Sequence, residues 1–327
     1  MVRVFAITVL LAVAAGAGWL SWVLLSPVTP PQSKVVLLHP GYSTRHIANE
    51  LKAAGIIRNE EAFLLWHYVH HRGSLKAGEY LFEKDANTID IHNRLVRGDV
   101  YVHTVVVPEG YNIFDIADAI QDAGLGSSAD FLKVATSDTA LIADLAPHAK
   151  SLEGYLFPST YEFTRTQSMD EMAAAMVKQF RQVAREIGLT SDVEKTVTLA
   201  SIIEKETGVA DERPLVASVY YNRMEKRIPL QADPCVIYAE MLQGSYAGAL
   251  HHADMAMNSA YNTYRHIGLP PGPIGSPGKT SLDAAMHPAT TDYFYFVSNG
   301  NGHHRFAHTL EEHNRNVAAY RKAVMQR

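Results

Sequence analysis

The sequence has 327 residues, 47% hydrophobic and 19% charged, with 29 Lys+Arg against 34 Asp+Glu, the balance of a folded chain with room for about two domains. A net charge of −5 without any Lys/Arg cluster excludes a nucleic-acid groove, because phosphate binding needs a concentrated basic face. The one cysteine, Cys235, excludes an intrachain disulfide and a cysteine zinc cluster, so stability rests on packed cores.

Residues 4–25 carry no charge and would extend about 33 Å as a helix, enough to span a bilayer. A cleaved signal peptide would have a shorter apolar region ending in a small-x-small site. Here the small residues Ala14 to Gly18 are followed by more apolar sequence, so residues 1–25 are expected to be an uncleaved single-pass anchor. Arg3 before the span, with Trp19 and Trp22 toward its far end, predicts a cytoplasmic N-terminus and places everything later on the outer side of the cytoplasmic membrane. That part keeps every acidic residue and loses only Arg3 from the basic ones, which favours neutral or zwitterionic polymers over polyanions as substrates.

Residues 26–33 are Pro-rich and read as a semi-rigid spacer. An internal echo follows at an offset of 69: Gly41, Tyr42, Ile47, Ala48, Ala54 and Gly55 recur as Gly110, Tyr111, Ile116, Ala117, Ala123 and Gly124. Each copy follows a β-branched run, turns at Gly and enters a helix with apolar residues at i and i+4 that ends at Gly. This strand, turn and amphipathic helix, twice over, resembles the LysM-type module, a small unit that binds N-acetylated glycan. The expected units are residues 34–100 and 101–150.

Between the copies, residues 60–72 and 88–95 read as helices and 78–82 as a strand. Past residue 150 the pattern predicts a helix over 169–187 and another from a capping box, Ser191 with Glu194, to Thr207. A third opens near Asp211 with Pro214 in its first turn, where a missing N–H does no harm. Residues 269–278, rich in Pro and Gly, must form an ordered loop. A strand over 293–297 and a helix over 309–324 close the chain. The fold class expected is α+β, with residues 151–327 as one domain.

The histidine groups His67, His70 and His71, then His251 and His252 with Asp254, then His304 and His308, contain no HExxH pattern or third carboxylate at zincin spacing. They read as surface residues, and no metal is expected. Ser276 and Lys279 match Ser-x-x-Lys, but Pro277 and Gly278 forbid the helix that motif needs. No Gly-x-Ser-x-Gly elbow occurs and Cys235 lacks a nucleophile's context, so covalent acyl chemistry has no candidate. Carboxylate chemistry remains, at the end of an apolar helix: Ala200-Ser-Ile-Ile-Glu204-Lys-Glu206-Thr. A carboxyl projecting from such a helix into a cleft is partly desolvated, which raises its pKa and suits it to general acid catalysis. Periodicity does not choose between the two: Glu204 shares a face with Val197, Ala200 and Ser201, Glu206 with Leu199, Ile202 and Ile203. The competing reading is a charged helix end solvated in water.

That helix end, with Glu212-Arg213, Asn222-Arg223, Leu230-Gln231-Ala-Asp233-Pro234, Tyr261-Asn262-Thr-Tyr264, Gly268-Leu-Pro-Pro-Gly272, His304-x-Phe306 and Glu312-His313-Asn314, resembles the signature of the YceG-like (MltG) family of endolytic murein transglycosylases. Residues 152–158, Leu-Glu-Gly-Tyr-Leu-Phe-Pro, belong to the same set. Cys235, Ala260 and Ser276 depart from the family's usual Thr, Pro and Asn. The resemblance implies an anchor, LysM-like subdomains and an α/β catalytic domain that needs no cofactor. It places the essential acid at Glu204 and lines a glycan cleft with Asn222, Arg223, Gln231, Asp233, Tyr261, Asn262 and Tyr264.

The implied reaction cleaves the β-1,4 bond from N-acetylmuramic acid to N-acetylglucosamine within peptidoglycan strands: Glu204 donates to the glycosidic oxygen, and the same carboxylate then takes the proton of the muramic C6 hydroxyl, which closes on C1 as a 1,6-anhydro ring. An ordinary glycosidase needs two carboxylates because one must activate water or attack carbon. Here the nucleophile belongs to the substrate, and its effective molarity replaces the second group. Family resemblance also implies association with penicillin-binding synthases and a role in ending strand growth. Two rivals stand beside this: a hydrolytic muramidase with Glu206 or Asp233 as second carboxylate, and a non-catalytic wall-binding scaffold built on the LysM-like repeat.

Overall fold

The computed structural model describes residues 1–29, 32–70 and 73–325. His71, Arg72 and the two prolines at 30 and 31 lie outside the described residues, as do the last two positions of the expected catalytic stretch. The chain divides into two compact units, one of residues 1–104 and 162–168, the other of 105–161 and 169–327. The second strand–helix stretch, expected as a unit of its own, thus falls with most of the residues after 150.

In the first unit, α1 (Val2–Leu25) is a 24-residue helix long and apolar enough to cross a membrane. Then come β1 (Lys34–Leu38), α2 (Thr44–Ala53), α3 (Glu60–Val69), β2 (Gly78–Phe82) and α4 (Thr88–Arg97). β1 and β2 pair antiparallel, Val36 opposite Tyr80, over a core of Leu38, Ile47, Leu51, Phe63, Tyr80, Ile91 and Leu95. The last turn of α1 belongs to this unit, because Val23 and Leu24 are buried against Ala62, with Trp66 and Ile89 packed around them. His67 corrects the surface reading of the histidines: it is buried, its Nδ1 3.0 Å from Nε2 of buried His92. The apolar spacing of α3 turns that position toward the core, which counting histidines could not reveal.

The chain enters the second unit through β3 (His103–Val107) and continues with α5 (Ile113–Asp122) and α6 (Ser128–Ser137) to β4 (Ser159–Phe163), which pairs with β3. The order strand, helix, helix, strand therefore occurs twice, which is the structural content of the 69-residue echo. Gly41 and Gly110 sit at the matching turns with φ of +88° and +81°, a backbone region that side chains disfavour. α7 (Met169–Glu186), α8 (Val193–Glu206), α9 (Arg213–Glu225), α10 (Asp233–Gln243) and α11 (Lys279–Met286) follow. A β5 (Tyr295–Ser298) and β6 (His304–Ala307) hairpin and α12 (Leu310–Met325) end the unit.

α8 is the hub. α9, α10 and α11 all pack on it, and every residue from Thr196 to Ile203 is buried. The capping box expected at its start does not form: Asp192 stands at the N-cap with φ +51° and makes no side-chain cap bond. A capping box does form on α5, between Asn112 and Asp115.

Candidate active site

Because α8 is buried on all sides, its two terminal carboxylates leave in different directions, about 200° apart at about 100° per residue. Each finds a distinct polar setting within the second unit. Glu204 accepts a hydrogen bond at Oε1 from Arg213 Nη2 (2.7 Å) and at Oε2 from the Gly278 amide (2.9 Å). Its side chain is 6% exposed, and the Arg213 side chain 8%. Arg213 also donates to the Thr280 hydroxyl and lies 3.6 Å from Glu109, whose carboxyl is pushed above its ordinary range by burial and then by the neighbouring Glu204. Both oxygens of Glu204 are thus occupied, one holding the end of the Pro/Gly loop to α8 and the other the guanidinium at the start of α9. Ser201 Oγ, one turn back, accepts from the Ile274 amide (3.0 Å). The turn at Gly110 and Tyr111 exchanges two backbone bonds with Ser276 (2.8 and 2.7 Å).

Glu206 instead lines an open cleft of about 390 Å³. Arg223, Gln231, Asp233 and Tyr264 share its walls, together with β5, His304 and His313. Tyr220 donates to Glu206 Oε1 at 2.8 Å. Burial pushes the Glu206 carboxyl up to about 7; the Tyr220 bond opposes this and the nearby Asp233 charge adds to it. A carboxyl so poised holds a proton near neutral pH, which is what a general acid requires.

Four of the seven expected glycan-binding residues therefore meet around Glu206, not Glu204. Arg223 donates from Nε to Phe294 O (2.7 Å) and from Nη1 to Leu230 O (2.8 Å) and Gln231 Oε1 (3.2 Å), with its guanidinium 5.1 Å from the Tyr295 ring centre. Gln231 sits at φ +54°, its amide donating to Thr263 O at 3.1 Å. Tyr264 donates to Asp233 in the first turn of α10.

The other three stand apart. Asn222 spends its amide on Thr291 O and Tyr293 O, both 2.9 Å, and so fixes the approach to β5. Tyr261 packs its ring on Tyr238, centroids 5.2 Å apart. Asn262 is fully buried, donating to Met255 O and Met257 O (3.0 and 2.8 Å) and accepting from the Tyr264 amide (3.0 Å). This amide, expected to contact glycan, is enclosed and builds the turn that presents Tyr264, as Asn side chains commonly do.

Sequence reasoning missed Tyr220 and the part played by two motif pieces far apart in the chain. Glu212 accepts from the His304 amide (2.9 Å), His304 Nδ1 (2.7 Å) and His303 Nδ1 (3.1 Å). Burial would raise the Glu212 carboxyl, but these donors outweigh it and hold the group below its ordinary range. The motif pair was visible as letters; only the fold joins residues 212 and 304.

A protonatable carboxyl at the end of a buried helix, in a cleft it shares with Tyr264, Gln231 and Asp233, is an arrangement suited to general acid catalysis. The YceG-like family profile matches residues 36–319, and the chain belongs to that family. It is 35% identical to the endolytic murein transglycosylase of Bacillus subtilis, over 91% of this chain and 88% of that protein. It is 30% identical to the endolytic murein transglycosylase of Streptococcus pneumoniae, over 98% of this chain but 65% of that longer protein. A crystal structure of a yceG-like protein from Listeria monocytogenes superposes with a TM-score of 0.57 at 34% identity, covering 87% of this chain and 98% of that one.

Proposed function

We propose that this chain is a membrane-anchored endolytic lytic transglycosylase of peptidoglycan, and that Glu206 is its acid. The observation carrying the assignment is the placement of Glu206 in the cleft with its carboxyl raised to about 7 by burial, while both oxygens of Glu204 are bonded to Arg213 and the loop. Protonated Glu206 would donate to the glycosidic oxygen between N-acetylmuramic acid and N-acetylglucosamine. The C1–O bond breaks through an oxocarbenium-like state, and the C6 hydroxyl of the same muramic residue closes on C1. Arg223, Gln231, Asp233 and Tyr264 would hold the sugars. The acid needs its proton, so turnover should fall as pH rises past about 7.

The names of the relatives and the family membership support the substrate class. α1 supports an anchor by length and composition; the N-terminus in the cytoplasm and the cleft on the far side would keep the enzyme beside nascent strands and the penicillin-binding synthases that make them. The repeated strand–helix–helix–strand units would hold glycan as LysM-like modules.

Asp233 favours one second reading, because a carboxylate in the same cleft as Glu206 is what a hydrolytic muramidase would use to activate water. Mass spectrometry of products from isolated glycan strands separates the two. Anhydromuramyl ends are expected from the wild type, and reducing ends would establish the hydrolase.

A further inference from the structure

We propose that the outer face of α3, carrying Leu65, Tyr68 and Val69, is a membrane-docking surface that seats in the headgroup region of the bilayer α1 crosses. The inference rests on the proposed anchor and extends it. Residues 1–19 are exposed throughout, whereas Val23 and Leu24 are buried in the first unit. A hydrocarbon core takes about 20 helical residues, which is all that α1 has before Val23. The chain beyond α1 turns back onto the unit: Val28 and Ala86 exchange backbone bonds (2.9 and 3.3 Å), and the Thr88 hydroxyl donates to Val23 O (3.2 Å). No length of chain therefore separates the first unit from the lipid, and the surface around the end of α1 lies at the headgroups.

The direction of α3 brings one of its faces there. Arg58, just before α3, donates to Pro27 O beyond the end of α1 (2.8 Å), with its guanidinium 5.1 Å from the Trp22 ring centre. Farther along, Ala62 is packed with Val23 and Leu24, and Trp66 and Leu20 border the same cluster. α3 thus runs back along α1 toward the span. Its exposed stripe, Glu61, Leu65, Tyr68 and Val69, follows the i, i+4, i+7, i+8 spacing of one helix face.

That stripe is charged at its far end, where Glu61 pairs with Arg45 at 2.8 Å. It is apolar at its near end, where Leu65, Tyr68 and Val69 are 49, 66 and 67% exposed. Among the described residues of the first unit outside α1, the exposed large apolar side chains are these three, Val35 and Tyr101, so the apolar surface is concentrated on this stripe. A tyrosine among aliphatic side chains suits the boundary between headgroups and acyl chains. From residue 62 to residue 78 the sequence has no acidic residue and includes Arg72 and Lys76, which favours anionic headgroups. Span and docked face together fix the tilt of the first unit on the membrane.

The test places bimane, a polarity-sensitive fluorophore, on Glu61→Cys, Leu65→Cys, Tyr68→Cys and Val69→Cys, one at a time in the full chain, Cys235 being buried and out of reach. Each variant is reconstituted at one chain per nanodisc of phosphatidylethanolamine and phosphatidylglycerol. Nitroxide carried on lipid should quench the probes at positions 65, 68 and 69 several-fold more than at position 61, and aqueous iodide should do the reverse. Emission should shift to the blue at those three positions and not at position 61. All four side chains are exposed, so the fold should tolerate each change; if one variant fails to fold by circular dichroism, the others on the stripe carry the test. Equal iodide quenching at every position, in a chain that vesicles of the same lipids retain through a carbonate wash, overturns the docking and leaves the anchor standing. Protection that appears only when several chains share a disc assigns the face to a second copy and also overturns it. Release by carbonate removes the anchor and this inference with it.

Discussion

A buried carboxylate beside a buried guanidinium is costly to break, because removing one partner strands the other's charge. Arg213→Met should therefore destabilise the chain by about 3–5 kcal/mol, read from the urea midpoint, since it leaves Glu204 and Glu109 facing each other unneutralised. A loss below about 1 kcal/mol, the range of an exposed pair, would mean the pair is solvated. Glu153 makes a second case. It is buried, accepts from the Ile113 and Gly154 amides and Tyr238 (3.1, 3.3 and 2.8 Å), and burial raises it to about 7. Its folded pKa lies above that of an unfolded Glu, so the folded state binds the extra proton. Stability is full below about 4.5 and declines as pH rises through about 7. Melting temperatures at pH 5 and 8 should differ less for Glu153→Gln than for wild type, and equal differences would contradict the argument. At this scale the sequence narrowed the acid to two residues two apart. It went no further because α8 is buried on every face, so hydrophobic periodicity carried no direction.

Elements owe their positions to a few close approaches. A Cβ on Gly275 would lie 2.7 Å from Gly110 O, where the Pro/Gly loop meets the Gly110 turn. Gly275→Ala should cost about 1–3 kcal/mol by overpacking and lower turnover by loosening the loop that Glu204 fastens; a melting temperature equal to wild type would show the turn can shift freely. Asn112→Ala removes a complete capping box and should cost about 1 kcal/mol. Most helices and the Pro/Gly loop over 269–278 were legible from apolar spacing, Gly stops and Pro punctuation. The failed capping box at Ser191 and the unforeseen α6, β4, α10, α11 and β6 mark the limit. Both cap letters were present at 191 and 194, but the chain enters α8 through a left-handed Asp192. β6 exists only because β5 pairs with it.

Over the whole molecule, α1 should hold the chain in the membrane fraction through alkaline carbonate washing; release by that wash would contradict an integral anchor. The helix also has a second duty, since Val23 and Leu24 are packed on Ala62, and each fully buried aliphatic side chain contributes about 1.5–3 kcal/mol. Removing residues 1–33 should lower the melting temperature of the first unit, whereas a cut before Leu20 should spare it. The long apolar helix and the membership of the YceG-like family were readable from hydropathy and motif order. The joining of Glu212 to His304, and the pairing of β3 with β4 across some fifty residues of chain, depend on tertiary contacts that no local pattern encodes. The most direct measurement is mass spectrometry of glycan-strand products from the full chain, wild type beside Glu206→Gln and Glu204→Gln. The account predicts anhydromuramyl ends from the wild type, none from Glu206→Gln, and reduced but measurable amounts from Glu204→Gln; loss with Glu204→Gln in a folded protein while Glu206→Gln stays active would contradict it.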